Sequence, residues 1–126
     1  MLKKLTPVLY VERIEDQLPF WVERLGFEKT VEVPHAGAIG FVILVRDGIE
    51  LMLQSHASVA EDVPALRGER ARVPMFFEVG DLDDIERRLE GIEKVFPRRK
   101  TFYGAMEVAV RDPAGNVVTF AQFTQG

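Results

Sequence analysis

Four glutamates lie inside apolar runs that are typical of β-strands, and they are the side chains best placed for chemistry. They are Glu32, Glu50, Glu78 and Glu107. A carboxylate that points into an apolar cleft can pair with a cationic ligand group, or it can take a raised pKa and act as a general base. Because side chains alternate across a strand, each glutamate can instead face solvent. We expect Glu32 and Glu107 to face solvent.

The two histidines and the absence of cysteine limit the metal and nucleophile chemistry of the chain. His35 lies in a Pro-His-Ala-Gly loop and His56 follows a strand end, so we expect both to be surface histidines. An alternative is a metal site of His35, His56 and Glu50, which requires the three side chains to converge. With no cysteine in the sequence, disulfides, thiolate metal sites and a cysteine nucleophile are excluded.

The bulk composition is that of one globular domain. The chain has 126 residues, of which 47% are hydrophobic and 29% charged, enough for a single core. The net charge of −4 argues against nucleic acid as a partner. No apolar run approaches the ~18 residues of a membrane span. No signal peptide is evident, so we expect a cytoplasmic protein with no membrane partner.

The elements that must position these residues fall into two similar halves. We predict strands over 5–11, 27–33, 39–45 and 49–54 in the first half, and over 73–79, 95–97, 106–110 and 116–123 in the second. Each half has a helix after its first strand, with Asp16 and Asp81 as the expected N-caps. Gly26 should end the first helix, in which Trp21 is a core residue. Residues 56–72 form a polar segment with one helical turn predicted near 63–66.

The two halves also share residues. Val45-Arg46-Asp47 recurs as Val110-Arg111-Asp112, at the end of corresponding strands. Half of so short a chain cannot close a core alone, so two βαβββ modules are expected to pack together. We therefore predict one α+β domain over 1–126, with module one at about 1–56, a linker at 57–72 and module two at about 73–126. A cleft between the modules would hold a small-molecule ligand.

This repeat resembles the vicinal oxygen chelate superfamily, which includes glyoxalase I, extradiol dioxygenases and the bleomycin resistance proteins. Two segments resemble the bleomycin resistance proteins most: Pro7-Val8-Leu9 with Phe20-Trp21-Val22-Glu23-Arg24-Leu25-Gly26-Phe27, and Gly104 with Val110-Arg111-Asp112-Pro113-Ala114-Gly115-Asn116 up to Phe120. The resemblance spans nearly the whole chain. It implies that the two modules form an incomplete mixed-sheet barrel around the cleft.

The resemblance also bears on a metal site. In the metal enzymes of this superfamily, four strands each supply one ligand, and the matching positions here are Thr6, Glu50, Pro74 and Thr119. Only Glu50 is a usual metal ligand, whereas a catalytic zinc, nickel or iron site needs about three. Neither histidine matches a ligand position. The resemblance therefore implies that the metal site is lost and that no metal or other cofactor is bound.

Aromatic side chains could fill the cleft instead. In bleomycin resistance proteins such residues stack on the flat rings of the drug, and Phe41 and Tyr103 match their positions. The alternatives are core filling for Phe41 and a strand-edge aromatic for Tyr103. Glu50 is expected in the cleft because it matches a ligand position. The run 98–100 (Arg-Arg-Lys) near Tyr103 suits an anionic or neutral ligand better than a cationic drug, unless it is simply a solvated loop.

These observations favour a non-catalytic protein of the bleomycin-resistance type, which sequesters an aromatic-containing antibiotic or similar ligand in a metal-free cleft. One alternative is a glyoxalase- or dioxygenase-type enzyme with a relocated metal, or with Glu50 as general base. Another is a binding protein with no small ligand. The resemblance further implies a homodimer, in which Pro7 is the hinge of an exchanged N-terminal strand.

Overall fold

The chain forms two compact units, Met1–Ala71 and Arg72–Gly126. The computed structural model describes residues 1–124, so the last two residues of the predicted second module lie outside the described part. Each unit contains a four-stranded mixed sheet, and the two sheets have the same strand order. This confirms the predicted α+β fold of two repeated modules. The grouping of both modules into a single domain stays a prediction.

The first unit is built on four strands in the spatial order β1-β4-β3-β2. Their bounds are β1 Val8–Val11, β2 Glu28–His35, β3 Ala38–Arg46 and β4 Ile49–Ser55. β1 is parallel to β4, and the other pairs are antiparallel. β3 and β4 are joined by Asp47 and Gly48, with φ values of 50° and 77°. Positive φ at both positions is what a two-residue type I′ turn requires, so β3 and β4 form a tight hairpin.

The chain between β1 and β2 is helical in two short pieces, Ile14–Asp16 and Pro19–Arg24, rather than in one continuous helix. The predicted N-cap at Asp16 is wrong, because the second piece begins at its proline without any side-chain cap. Proline suits a first helical position, where the missing N–H would have no partner. Gly26 ends the helix at φ 76°, as predicted, and Trp21 is fully buried.

A helix that the sequence analysis did not predict follows β4. This helix, α1, spans His56–Asp62. The hydroxyl of Ser55 accepts a hydrogen bond from the backbone N–H of Ser58 at 3.1 Å and so caps its first turn. The predicted helical turn near 63–66 is present as a 3-10 turn at Pro64–Leu66. The segment predicted as a linker is therefore regular over much of its first half.

The second unit repeats the first, with the strand order β5-β8-β7-β6. Its elements are β5 Met75–Glu78, α2 Leu82–Arg88, β6 Lys94–Lys100, β7 Ala105–Arg111 and β8 Val117–Phe123. β5 is parallel to β8, as β1 is to β4. The Asp81 carboxylate caps α2 by accepting from the N–H of Asp84 at 3.1 Å, as predicted. No helix within residues 1–124 is long and apolar enough to cross a membrane.

Each sheet has a back face that packs on the helices of its unit and an opposite front face. In the first sheet the buried Leu51 and Leu53 point to the back, so alternation places Glu50 on the front. In the second sheet Val108 and Val110 point to the back, where α2 contacts β7 and β8. Glu107 therefore lies on the front face of the second sheet. The front faces carry the candidate site residues.

The turn between β7 and β8 ties the second unit together. Oδ1 of Asp112 accepts hydrogen bonds from the N–H groups of Ala114 and Asn116, and Oδ2 accepts from the Asn116 side-chain amide at 2.9 Å. The Asn116 side-chain oxygen in turn accepts from the N–H of Val73 at 2.8 Å. Both turn side chains are 4% exposed. This segment serves the fold rather than chemistry.

Replacing Asn116 with alanine should lower the free energy of unfolding by about 1–3 kcal/mol, because a buried carboxylate oxygen and a backbone N–H lose their partners. Urea denaturation followed by circular dichroism measures this loss. Glu93→Ala is the control, since Glu93 is exposed, and it should change the free energy by less than about 0.5 kcal/mol. Equal unfolding midpoints for the two variants would contradict the structural role of the turn.

Candidate functional site

Glu50 on the front face of the first sheet is held by two donors from the N-terminal segment. The Thr6 hydroxyl donates to Oε1 of Glu50 at 3.1 Å, and the Lys4 ammonium lies 3.0 Å from the same oxygen. The hydrogen bond from Lys4, then the one from Thr6, lowers the pKa of the Glu50 carboxyl. Glu50 is therefore ionised at neutral pH and is a weak base.

The donor set at the positions that the resemblance assigns to metal ligands does not fit a catalytic metal. The Lys4 ammonium lies against the Glu50 carboxylate, where a metal cation would have to bind. Pro74 has no side-chain donor, and Thr119 offers only a neutral hydroxyl. Within residues 1–124, no three His, Cys, Asp or Glu side chains are grouped so as to hold a metal ion.

The two histidines pair with different glutamates. Nε2 of His35 lies 2.5 Å from a carboxylate oxygen of Glu61, and Nδ1 of His56 lies 3.0 Å from one of Glu12. The contact with His56 lowers the pKa of Glu12. Because Glu50 is bound to Lys4 and Thr6 instead, the structure does not bring together the three residues of the alternative metal site.

Phe41 lies on the front face of the first sheet and is half-buried. It stands opposite Gln54 on β4 and Val33 on β2. Val45, four positions further along β3, is the residue opposite Glu50. Four residues of strand span roughly 13 Å. Phe41 and Glu50 therefore share a face without being neighbours.

Tyr103 lies in the hairpin loop between β6 and β7. The loop is closed by Thr101, whose N–H donates to the carbonyl of Ala105 at 2.8 Å and whose hydroxyl accepts from the Ala105 N–H at 3.0 Å. Gly104 takes a φ of 85°, a left-handed conformation that favours glycine. This local network fixes where the Tyr103 ring lies.

Three aromatic rings form a continuous patch on the front face of the second sheet. The ring of Phe123 lies 5.9 Å from that of Tyr103 and 6.4 Å from that of Phe76. Phe76 stands opposite Thr119 on β8, so the patch adjoins one of the positions that the resemblance assigns to metal ligands. The exposed fractions are 53% for Phe76, 41% for Tyr103 and 40% for Phe123. We call these three residues the aromatic patch.

Glu107 is buried beside the aromatic patch, so the prediction that it faces solvent is wrong. It is 2% exposed. Oε1 of Glu107 accepts hydrogen bonds from Nε and Nη2 of Arg99 at 3.0 and 2.8 Å, and Oε2 accepts one from the Tyr103 hydroxyl. The guanidinium carbon of Arg99 also lies 3.6 Å from the centre of the Phe96 ring. By contrast Glu32 is exposed, as predicted.

The basic run 98–100 is part of β6 and not a solvated loop, because β6 continues beyond the short strand predicted at 95–97. Arg98 reaches the back of the sheet and pairs with Asp83 and Glu86 of α2, at 2.6 Å in each case. Arg99 reaches the front and pairs with Glu107. Two of the three basic charges are therefore balanced by carboxylates.

Reasoning from the sequence missed the two phenylalanines of the aromatic patch, expected Glu107 to face solvent, and considered Arg99 only as part of the basic run 98–100. One available signal was the pattern around Glu107. On its face of β7 it is flanked by Ala105 and Ala109, and a charge between two small apolar residues indicates a packed face rather than a solvated one. The partnership with Arg99 had no such local signal.

Replacing Lys4 with glutamine should raise the pKa of Glu50 towards its ordinary value, because the main hydrogen bond to the carboxylate is lost. Because the pKa of Glu50 is lower in the folded than in the unfolded state, its carboxylate stabilises the fold above the unfolded-state pKa. This contribution is lost as the pH falls through the folded-state pKa. Carbon-detected NMR titration of the Glu50 carboxyl measures the change. Lys3→Gln is the matched control, and an equal shift in both variants would refute the role of Lys4.

The hydrogen bond to Glu107, with burial and the carboxylate charge, raises the pKa of the Tyr103 phenol. Because the neutral phenol is the donor, its contribution to stability is present below about pH 10. It is lost as the pH rises through the raised pKa. Glu107→Gln should lower that pKa, as measured by ultraviolet absorbance of tyrosinate. The variant Tyr103→Phe identifies which of the two tyrosine transitions belongs to Tyr103 and which to Tyr10. An unchanged titration curve in Glu107→Gln would contradict this account.

Comparison with known proteins agrees with the fold and the repeat. The family model of the Glyoxalase/Bleomycin resistance protein/Dioxygenase superfamily matches residues 4–120. A curated relative, the uncharacterized protein YurT of Bacillus subtilis (strain 168), is 30% identical over 121 residues, covering 90% of this chain and 94% of that protein.

Solved structures with a similar fold have different roles. A lactoylglutathione lyase from Agrobacterium tumefaciens has a TM-score of 0.75 at 20% identity, over 97% of this chain and 94% of that one. TnmS3, an antibiotic binding protein from Streptomyces sp. CB03234, has a TM-score of 0.69 at 20% identity, over 98% and 99%. At such identities the likeness shows the fold alone. The match over residues 4–120 shows that the chain belongs to the Glyoxalase/Bleomycin resistance protein/Dioxygenase superfamily.

Proposed function

We propose that this chain is a non-catalytic ligand-binding protein that sequesters an aromatic-containing small molecule on the front face of its second sheet. The observation that carries the proposal is the aromatic patch. The ring of Phe123 lies between those of Phe76 and Tyr103 and contacts both, and each of the three residues is 40–53% exposed. Partly exposed aromatic rings in contact offer a planar ligand both apolar area and stacking geometry.

The patch is held in place before any ligand binds. Phe76 and Phe123 lie on hydrogen-bonded strands, and Tyr103 is fixed by its loop and by its hydroxyl bond to Glu107. Rings that are already oriented lose little side-chain entropy on binding, so more of the contact energy appears as affinity. A rigid patch of this kind supports a role in binding.

The chemistry at Glu50 supports binding over turnover. A general base works best when its pKa lies near the operating pH. The pKa of Glu50 is instead lowered by Lys4 and Thr6. In this chain, the positions that match the metal ligands of the superfamily's enzymes carry one carboxylate, two threonines and a proline. These residues do not fit a catalytic metal. The residues present therefore favour neither form of the enzyme hypothesis.

The ligand class that we propose includes antibiotics with flat ring systems. TnmS3, which shares the fold, is an antibiotic binding protein, and the superfamily includes bleomycin resistance proteins. We further propose a homodimer with Pro7 as the hinge of an N-terminal arm. Within the single chain, the Pro7 carbonyl accepts a hydrogen bond from the Met52 N–H at 3.0 Å, so the arm pairs with its own β4.

Binding to the aromatic patch should raise the melting temperature of the protein in the presence of bleomycin, phleomycin or the neutral probe 2-naphthamide. Stabilisation grows with the ratio of free ligand to Kd because the ligand binds only the folded state. Differential scanning fluorimetry with a chelator present measures the shift. The proposed function would be overturned if none of the three compounds, and not the anionic probe 2-naphthoate either, gave a shift.

A pair of loop variants separates specific stacking from general hydrophobic binding. Tyr103→Ala should increase by about tenfold the Kd of whichever probe raises the melting temperature. Stacking of a flat nucleobase on an aromatic side chain contributes roughly 1–3 kcal/mol to binding, and a similar loss is expected here. Val63→Ala is the control, because it removes an apolar side chain that is 40% exposed in the loop after α1 of the first unit, and it should change Kd by less than about twofold. Equal losses in the two variants would argue against the aromatic patch as the site.

A further inference from the structure

We infer that the site prefers aromatic ligands that carry a carboxylate or a similar anionic oxygen, and that Arg99 recognises this group. The inference rests on the proposed function, because it concerns the same aromatic patch. It starts from the position of Arg99, whose strand partner is Glu107 and whose side chain is 55% exposed. Arg99 therefore lies on the front face, next to the rings.

Arg99 has hydrogen-bond donors left for a ligand. A guanidinium carries five N–H donors. Nε and Nη2 each use one on the same oxygen of Glu107. In the described part of the chain, 1–124, Nη1 donates to no protein acceptor. Two N–H groups on one side of a planar fork match the two oxygens of a carboxylate.

Glu107 and Phe96 hold this fork in a fixed orientation. Glu107 binds one edge of the guanidinium, and the guanidinium carbon lies over the Phe96 ring, 3.6 Å from its centre. With one edge and one face occupied, the remaining edge and face are the ones available to a ligand. A buried carboxylate that is paired in this way adds little net stability compared with an apolar residue. The main effect of Glu107 is therefore to orient the side chains of Arg99 and Tyr103. Glu107 is a positioning residue.

Charge at the β6 edge favours an anionic over a cationic group, whereas the exposed carboxylate of Glu78 lies on β5, at the opposite edge of the same face. Glu107 is 2% exposed, and both its oxygens are already occupied by Arg99 and Tyr103, so it has little capacity to attract a cation. The exposed half of the local ion pair is the guanidinium. A ligand that lays its ring on Tyr103 therefore meets positive charge at the strand edge.

Paired naphthalene probes test this inference. 2-Naphthoate and 2-naphthamide have the same ring and differ in charge, and their fluorescence anisotropy gives Kd for each. The wild-type protein should bind the naphthoate about tenfold more tightly, a difference of about 1.4 kcal/mol, because the carboxylate gains a hydrogen bond to a charged group. This preference should shrink at high salt because the ion pair forms at an exposed edge.

The variants remove the charge without leaving a buried carboxylate unpaired. The double variant Arg99→Gln/Glu107→Gln neutralises both partners, and it should bind the two probes with Kd values within about twofold. Arg98→Gln is the matched control. Arg98 lies on the same strand but pairs with Asp83 and Glu86 on the back face, so the preference should persist. Circular dichroism verifies that both variants are folded.

The outcomes separate this inference from the proposed function. If both probes bind through Tyr103 but the wild-type protein shows no preference, or the preference survives in the double variant, the inference is overturned and the proposed function stands. If neither probe nor bleomycin binds, both are overturned. A preference that is lost in the double variant and kept in Arg98→Gln supports the role of Arg99.

Discussion

Side chains alternate across a β-strand, and this constraint decides which residues of the chain can meet a ligand. In each sheet, every second residue of a strand points to the back face, where aliphatic side chains such as Leu51 or Val108 pack on helices. The residues between them point to the front face and include Glu50 and Glu107. A slip of one residue would exchange the two sets. The tight turns that fix the register, Asp47-Gly48 among them, are therefore as necessary to the site as the residues that form it.

The burial of Glu107 imposes the second constraint. An ionised carboxylate is stable in so enclosed a position only when it is paired and hydrogen-bonded. Arg99 and Tyr103 meet that requirement with three hydrogen bonds. The same bonds remove rotational freedom from two long side chains that would otherwise be mobile at an exposed sheet edge. The need to neutralise one buried charge thus fixes the donors and the ring that a ligand would contact.

The features that the sequence predicts well are those decided by near neighbours along the chain. Gly26 ends a helix and Asp81 begins one through contacts with the adjacent turn. The start at Asp16 was wrong because Pro19 is compatible with more than one of the first helical positions. Glu107 was misjudged for a different reason. Its partner Arg99 faces it only because β6 extends past its proline with an irregular register, and no local pattern reports such a pairing.

Glu50 retains a cationic partner at a position that resembles a metal-ligand position, but the partner is the ammonium of Lys4. An ammonium supplies one charge and hydrogen-bond donors. It has no coordination position that a substrate oxygen could enter, so it cannot act on that oxygen as a Lewis acid. The front face of the second sheet offers ring surface and oriented donors, and in the function that we propose these groups hold a ligand without distinguishing its ground state from any later state. Interactions of that kind raise affinity without accelerating a reaction, which is the behaviour that sequestration requires.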